Sequence, residues 1–269
     1  SNQFGAKLMP LMVGEPQEFV TESKSMLQKE LDFLEKNKEG LSVKFVKVWT
    51  AIMSYTMYYD WLIYPPYHEM VVKKGNAKTI PPENYMVAAS VAMNFDDNLL
   101  SLSEYRNVVG SIFSPKVGMS DSAHAAQYRL ADSSTIYAQQ LLPPKSKEFY
   151  FAHKLYSGLK YAKVSKADSD YYSFKKMYPK SEYMPVIDKA ITLKRKLGVG
   201  QQAADFTFTT AEGRKMKLSD LKGKVVYLDF WASWCGPCIS ELPAAKKVEE
   251  DFVGGDVVFL KIYIDEDEN

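Results

Sequence analysis

Cys235 and Cys238 are the only cysteines in the 269-residue chain, and Gly236 and Pro237 separate them. The apolar run that starts at Val225 predicts a buried strand, then a short loop and a helix that begins at the cysteine pair. At a helix N-terminus, unpaired amides and the helix dipole stabilise a thiolate, and the thiol pKa falls from about 8.5 to about 3.5–7.5. We therefore predict thiol–disulfide exchange in which Cys235 attacks a disulfide and Cys238 resolves the mixed disulfide.

Two acidic residues lie close to this pair in the sequence. Asp229 stands six residues before Cys235 in an otherwise apolar run, where a buried carboxylate is costly. Burial favours its protonated form and would let it exchange a proton with Cys238. The alternative is a strand-end aspartate that faces solvent. Glu241, three residues past Cys238, either tunes the thiols or shuttles protons, or is simply an acid in the first helical turn that favours the dipole.

A metal or haem at the cysteine pair is disfavoured. A structural zinc site usually needs four ligands, and the chain offers no other cysteine and only three histidines, all far upstream at 68, 124 and 153. Covalent haem attachment needs a histidine after the second cysteine, where Ile239 stands. We predict no metal and no cofactor beyond a redox-active Cys235–Cys238 disulfide.

The composition limits the kinds of partner and the overall size class that we expect. The chain has 34 basic and 33 acidic residues, a net charge of +1, so no nucleic-acid partner is expected. The hydrophobic fraction of 46% and the charged fraction of 25% describe a globular protein with room for one large domain or two smaller ones. The uncharged apolar stretch at 48–59 is shorter than the ~20 residues of a spanning helix and predicts a buried helix.

The sequence pattern changes near residue 198. Residues 1–198 carry helical periodicity, whereas short strand-like runs follow from about residue 203, so we predict domains at 1–198 and 199–269. Pro65 and Pro66 are expected to end the second helix. The predicted helices lie between Pro16 and Gly40 and at 42–64, 101–114, 121–141, 146–163, 168–178 and 183–197.

The C-terminal domain resembles the TlpA/ResA-like thiol-disulfide oxidoreductases, which have a thioredoxin-like fold and are grouped in the AhpC/TSA superfamily. Some of these relatives also carry a helical N-terminal domain. The segments that carry the resemblance are ADFTF at 204–208, LSDLKGK at 218–224, WASWCGPC at 231–238, ELP at 241–243 and the strand-like run at 257–265.

The resemblance implies roles for individual residues. Cys235 and Cys238 correspond to the redox pair and Asp229 to the buried acid. Trp231 and Trp234 would frame the site, and Trp234, Gly236 and Pro237 would contact the substrate.

The resemblance also implies partners and a location. The expected partners are protein disulfides and an upstream electron donor, and Gly-Pro between the cysteines, as in thioredoxin, favours reduction of those disulfides. We expect the protein in the periplasm or on the outer face of a bacterial membrane, with a possible membrane anchor upstream of residue 1.

The thioredoxin fold normally continues past the second parallel strand with a helix, a cis-proline loop, two antiparallel strands and a final helix. Pro243 is the only proline after Cys238, so the cis-proline is missing from this sequence. We therefore expect a chain cut from a longer protein, with 265–268 as part of a strand-to-helix loop. The predicted fold is multidomain, α plus α/β: a helical N-terminal domain followed by a C-terminally incomplete thioredoxin-like fold.

Two alternatives to an extracytoplasmic oxidoreductase stay open. The first is a binding or scaffold protein whose helical domain recognises a partner while the redox domain is vestigial. The second is a cytoplasmic reductase of the thioredoxin type.

Overall fold

The computed structural model describes residues 10–72, 94–112, 133–252 and 254–265. Its internal contacts divide the chain into two compact units, Ser1–Gly198 and Val199–Asn269. The first unit is helical, and the second combines strands with one long helix. Among the described residues, no helix combines the length and the apolarity needed to cross a membrane.

The helices of the first unit largely follow the predicted pattern. The predicted helices at 146–163, 168–178 and 183–197 are confirmed, although the first two begin a few residues earlier than expected. Part of the helix predicted at 121–141, its first twelve residues, lies outside the described residues. The described helices are α1 (Pro16–Lys36), α2 (Val43–Val72), α3 (Ser103–Ser111), α4 (Ser133–Leu141), α5 (Pro144–Leu159), α6 (Val164–Met177) and α7 (Met184–Lys196).

The predicted end of the second helix at Pro65 and Pro66 is wrong, because α2 continues to Val72. Prolines inside a helix remove amide donors and disfavour the helical conformation of the preceding residue. Packing of the same helix offsets this cost. The Tyr64 ring stacks on Phe19 at 4.2 Å, and the Tyr64 hydroxyl donates to the carbonyl of Gly14 at 2.6 Å.

Among the described residues, two hydrophobic cores hold the helical unit together. The larger one is rich in aromatic side chains from α1, α2 and α3, and within it the Trp61 indole N–H donates to the buried Ser23 hydroxyl at 2.8 Å. The smaller core joins α5, α6 and α7 through residues such as Leu155, Phe174 and Ile187. The tyrosine and tryptophan polar groups stay hydrogen-bonded inside these cores, as buried polar atoms must.

Asp97 caps helix α5 from elsewhere in the chain. The N-cap residue of α5, Pro143, makes no side-chain capping bond. Instead the Asp97 carboxylate accepts hydrogen bonds from the amides of Lys145 and Ser146 at 3.0 and 2.7 Å, and from the Ser146 hydroxyl at 2.7 Å. Burial opposes ionisation of Asp97, but these hydrogen bonds outweigh it and hold the pKa of Asp97 below its ordinary value.

The second unit contains a hairpin and a strand–helix–strand segment. Strands β1 (Thr207–Thr209) and β2 (Lys215–Lys217) pair antiparallel. Strands β3 (Val225–Trp231) and β4 (Val257–Tyr263) pair parallel, joined by helix α8 (Gly236–Asp251). A parallel pair requires such a crossover connection, so both strands end at the same edge of the sheet.

Two of the sequence segments noted above meet in this unit. Asp205, from the ADFTF segment, accepts hydrogen bonds from the amide and the hydroxyl of Ser219 in the LSDLKGK segment, each at 2.9 Å. The Phe206 ring lies 6.4 Å from the Phe230 ring of β3. These contacts tie the hairpin and its following turn to the strand that leads to the cysteines.

We expect Asp97→Ala to lower the free energy of unfolding of the helical unit by about 1–2 kcal/mol, because it removes the N-cap of α5. Urea denaturation followed by helical circular dichroism measures this loss. Asp96→Ala is the matched control, since Asp96 caps only the short turn at Asn98. Equal losses in the two variants would contradict the capping role.

Asp60 in α2 is only 7% exposed, and among the described residues its Oδ2 atom has no hydrogen-bond partner. Burial raises the pKa of Asp60 to about 7. The unfolded chain releases this proton near its ordinary pKa of about 4, so the free energy of unfolding falls as pH rises from about 4 to about 7 and then levels off.

We expect Asp60→Asn to remove this fall and to stabilise the helical unit at about pH 8 by a few kcal/mol at most. Urea denaturation of the wild type and of Asp60→Asn at about pH 5 and about pH 8 measures the difference, because the two chains share every other titratable group and differ only in the carboxyl at position 60. Asp32→Asn, at an exposed position of α1, should leave the pH dependence unchanged. A pH dependence that is the same in the wild type and in Asp60→Asn would contradict the assignment.

Candidate redox site

The cysteine pair lies where β3 passes into α8. Strand β3 ends at Trp231, α8 begins at Gly236, and Cys235 is the N-cap residue of that helix. Cys238 follows in the first helical turn, and the two cysteines form a disulfide with their Cα atoms 5.3 Å apart. The structure therefore contains the disulfide, the preceding strand and the following helix that the sequence predicts. The predicted burial of the strand is wrong, because every residue of β3 is exposed or only partly buried.

The sulfur of Cys235 takes the place that a hydroxyl or carboxylate oxygen usually takes at a helix start. Its Sγ atom accepts a hydrogen bond from the amide of Cys238 at 3.3 Å, and its carbonyl accepts one from Ile239 at 3.0 Å. After reduction, the same amide and the positive end of the helix dipole would face a Cys235 thiolate. This arrangement favours Cys235 as the nucleophile.

The surface around the disulfide is open to another chain. Trp234 is 75% exposed, and Gly236 and Pro237 are also exposed. A Cβ atom added at Gly236 would meet nothing within 4 Å, so the backbone beside Cys235 can be approached closely. The predicted substrate contacts of Trp234, Gly236 and Pro237 remain a prediction, and their exposure is what such contacts require.

Asp229 lies in β3 and is half-buried, which is less than the full burial that the sequence pattern predicts. The parallel register pairs it with Lys261 of β4. The Lys261 ammonium in turn donates to the carboxylate of Glu249 on α8 at 2.5 Å. Sequence analysis missed Lys261 and Glu249, because only the strand register and the crossover helix bring them towards Asp229.

Glu241 is exposed on α8, one helical turn past Cys238. Pro243 lies in the interior of the same helix, which continues through it to Asp251. The interpretation of Glu241 as a first-turn acid that favours the dipole is wrong, because α8 begins at Gly236 and its first turn contains no acidic residue. A role in proton exchange stays a prediction.

A further acid near the cysteine loop was missed by sequence analysis. Both carboxylate oxygens of Asp265, two residues past the end of β4, accept a hydrogen bond from the amide of Ser233, at 3.2 and 3.1 Å. The Tyr263 hydroxyl also donates to Asp265. These hydrogen bonds hold the pKa of Asp265 below its ordinary value. The segment at 265–268 reads as a plain loop in the sequence, and only the parallel pairing of β3 with β4 places its first residue beside Ser233.

The described part of the chain contains no group of three or more histidine, cysteine or acidic side chains that could together hold a metal ion. The cysteine pair itself is engaged in the disulfide.

Comparisons with known proteins concern the C-terminal unit. The AhpC/TSA family model matches residues 199–269. Over 61 residues the chain is 48% identical to the thioredoxin-like protein YneN of Bacillus subtilis, a match that covers 22% of this chain and 36% of YneN. Over 75 residues it is 39% identical to the thiol-disulfide oxidoreductase ResA of Bacillus cereus, covering 28% of this chain and 43% of ResA.

A crystal structure of a proposed thiol-disulfide oxidoreductase from Bacteroides vulgatus is 50% identical and has a TM-score of 0.26; the match covers 26% of this chain and 50% of that one. The chain spans less than half the length of the two curated relatives, YneN and ResA. The resemblance of the C-terminal unit to the TlpA/ResA-like, thioredoxin-like proteins is confirmed.

In the reduced chain with Cys238→Ser, iodoacetamide can alkylate only the thiol of Cys235. We expect the midpoint of its pH–rate profile to lie lower in the folded chain than in the same chain unfolded in urea, because helix amides stabilise the thiolate. Mass spectrometry over a pH series measures both profiles. Coincident midpoints would contradict a thiolate held at the helix N-terminus.

Proposed function

We propose that residues 199–269, a thioredoxin-like unit of the AhpC/TSA family, catalyse thiol–disulfide exchange with protein disulfides. The observation that carries the proposal is the Cys235–Cys238 disulfide at the N-terminus of α8, directly after a strand of a parallel pair. The similarity of this segment to ResA and YneN supports the same chemistry.

The reaction needs two displacements at sulfur. In the reduced form, the Cys235 thiolate attacks one sulfur of a substrate disulfide, so a mixed disulfide forms and one substrate thiolate leaves. Cys238 then loses its proton and attacks the Cys235 sulfur, which releases the second substrate thiolate and closes the Cys235–Cys238 disulfide. Two electrons pass from the dithiol to the substrate, and a Cys235–Cys238 disulfide is the oxidised product of this cycle.

The second displacement requires a base for the Cys238 thiol. Asp229 is the proposed acceptor of that proton, because it is a half-buried carboxylate on the strand that leads to the cysteines. Glu241, on the solvent side of α8, is a second group that could exchange protons with the site. Trp234, Gly236 and Pro237 would form the face against which the substrate chain lies.

We further propose that the protein acts as a reductant outside the cytoplasm, in the periplasm or on the outer face of a bacterial membrane. The Gly-Pro pair between the cysteines supports the direction, since the same pair occurs in the reductant thioredoxin. The resemblance to TlpA/ResA-like proteins supports the location. An upstream donor would then return the disulfide to the dithiol after each turnover.

We expect the full chain to accelerate the reduction of insulin by dithiothreitol and Cys235→Ser to lower the rate to that of dithiothreitol alone, because the nucleophile is lost. Cys238→Ser should instead accumulate a mixed disulfide through Cys235, since the resolving thiol is absent. Insulin turbidity and non-reducing mass spectrometry measure the two outcomes.

The two serine variants are matched controls for each other, because each removes one sulfur from the same helical turn. Activity that survives Cys235→Ser would contradict the assignment of the nucleophile. Substrate proteins retained equally well by both variants would favour the alternative, a binding protein with a vestigial redox unit.

A further inference from the structure

The loop between β3 and α8 sets the position of Cys235. Its three residues are Ala232, Ser233 and Trp234, and only Ala232 is buried, at 1% exposure. The carbonyl of Ala232 accepts a hydrogen bond from the amide of Cys235 at 3.1 Å, which closes a tight turn before the helix. Because the loop has only three residues, a shift of Ser233 also moves the backbone of Cys235.

Asp265, which follows the neighbouring strand β4, accepts a hydrogen bond from the middle residue of that loop. Its two carboxylate oxygens share the amide proton of Ser233, and charge-assisted bonds of this kind are stronger than neutral ones. The Tyr263 hydroxyl donates to the same carboxylate. The amide of Ile264, between them, donates to the carbonyl of Trp231 at 3.0 Å and extends the ladder of β3 and β4 past its last pair.

The hydrogen bond between Asp265 and Ser233 lies close enough to Cys235 in the chain to affect the position of its sulfur. Ser233 is two residues before Cys235, and the Cys235 sulfur accepts the amide of residue 238 at 3.3 Å. A hydrogen bond at that distance weakens further if the N-cap residue moves away from the helix axis. The position of the loop therefore controls how well the helix N-terminus stabilises the thiolate.

We propose that Asp265 is a positioning residue for Cys235: by accepting the Ser233 amide, it holds the loop so that the Cys235 sulfur faces the first amides of α8. The inference deepens the proposed function and rests on it. Asp265 acts through the backbone of the loop, and its carboxylate takes no part in the exchange of electrons or protons.

The test uses the full chain, reduced, with Cys238→Ser, so that iodoacetamide reports on Cys235 alone. We expect Asp265→Ala to move the midpoint of the pH–rate profile upward and to slow alkylation at neutral pH about three- to tenfold, the factor that corresponds to one hydrogen bond. Asp265→Asn keeps an acceptor for the Ser233 amide and should stay close to the parent profile.

Two further variants separate positioning from charge and from folding. Asp251→Asn removes a negative charge from an exposed position at the far end of α8, and its profile should match the parent. Tyr263→Phe removes only the hydroxyl that donates to Asp265, keeps the ring and should give a smaller upward shift. Circular dichroism of each variant confirms that it is folded, and Tyr263→Phe alone tests the anchor if Asp265→Ala does not fold.

Profiles of Asp265→Ala and Tyr263→Phe that coincide with the parent would overturn the proposal. Equal downward shifts in Asp265→Ala and Asp265→Asn would overturn it as well, because the loss of a nearby negative charge alone favours the thiolate. The proposed function fails separately, through insulin reduction that does not depend on Cys235, since alkylation of a single thiol needs no turnover.

Discussion

The parallel pairing of β3 with β4 is the constraint on which the candidate site depends. Because both strands run in the same direction, their carboxyl ends meet at one edge, where Trp231 and Tyr263 are partners in the register. The crossover helix α8 starts at that same edge, so its amides point towards the residues that follow the strands. The sulfur atoms, the helix amides and the Asp265 carboxylate are brought together by this one pairing.

Opposing electrostatic effects meet at this edge. The helix N-terminus favours a negative sulfur, whereas nearby carboxylates oppose a second negative charge. Much of the Asp265 charge is shared with two donors, the Ser233 amide and the Tyr263 hydroxyl. Asp229 lies in the strand beside Lys261 in register, and Lys261 is paired with Glu249. Asp265 and Glu249 are thus each bound to a donor or a cation.

The helical unit shows where local rules and packing disagree. Pro65 and Pro66 meet every local criterion for a helix end, yet α2 passes through them because Tyr64 is stacked and hydrogen-bonded against the start of the chain. Pro143, by contrast, behaves as local rules suggest at a helix start, and a distant carboxylate, Asp97, satisfies the amides that it leaves open. Both outcomes reflect contacts between residues far apart in sequence.

The sequence by itself determined the disulfide-bonded cysteine pair, the strand before it, the helix after it and most helices of the first unit. These features depend on interactions within a few residues: periodic burial, capping, and the approach of two thiols across one helical turn. Tertiary structure alone decided that α2 runs through its prolines, that Asp229 lies beside Lys261, and that Asp265 holds the cysteine loop. Each of these depends on strand register or helix packing between distant segments, and the free energy of such contacts is not written in any local pattern.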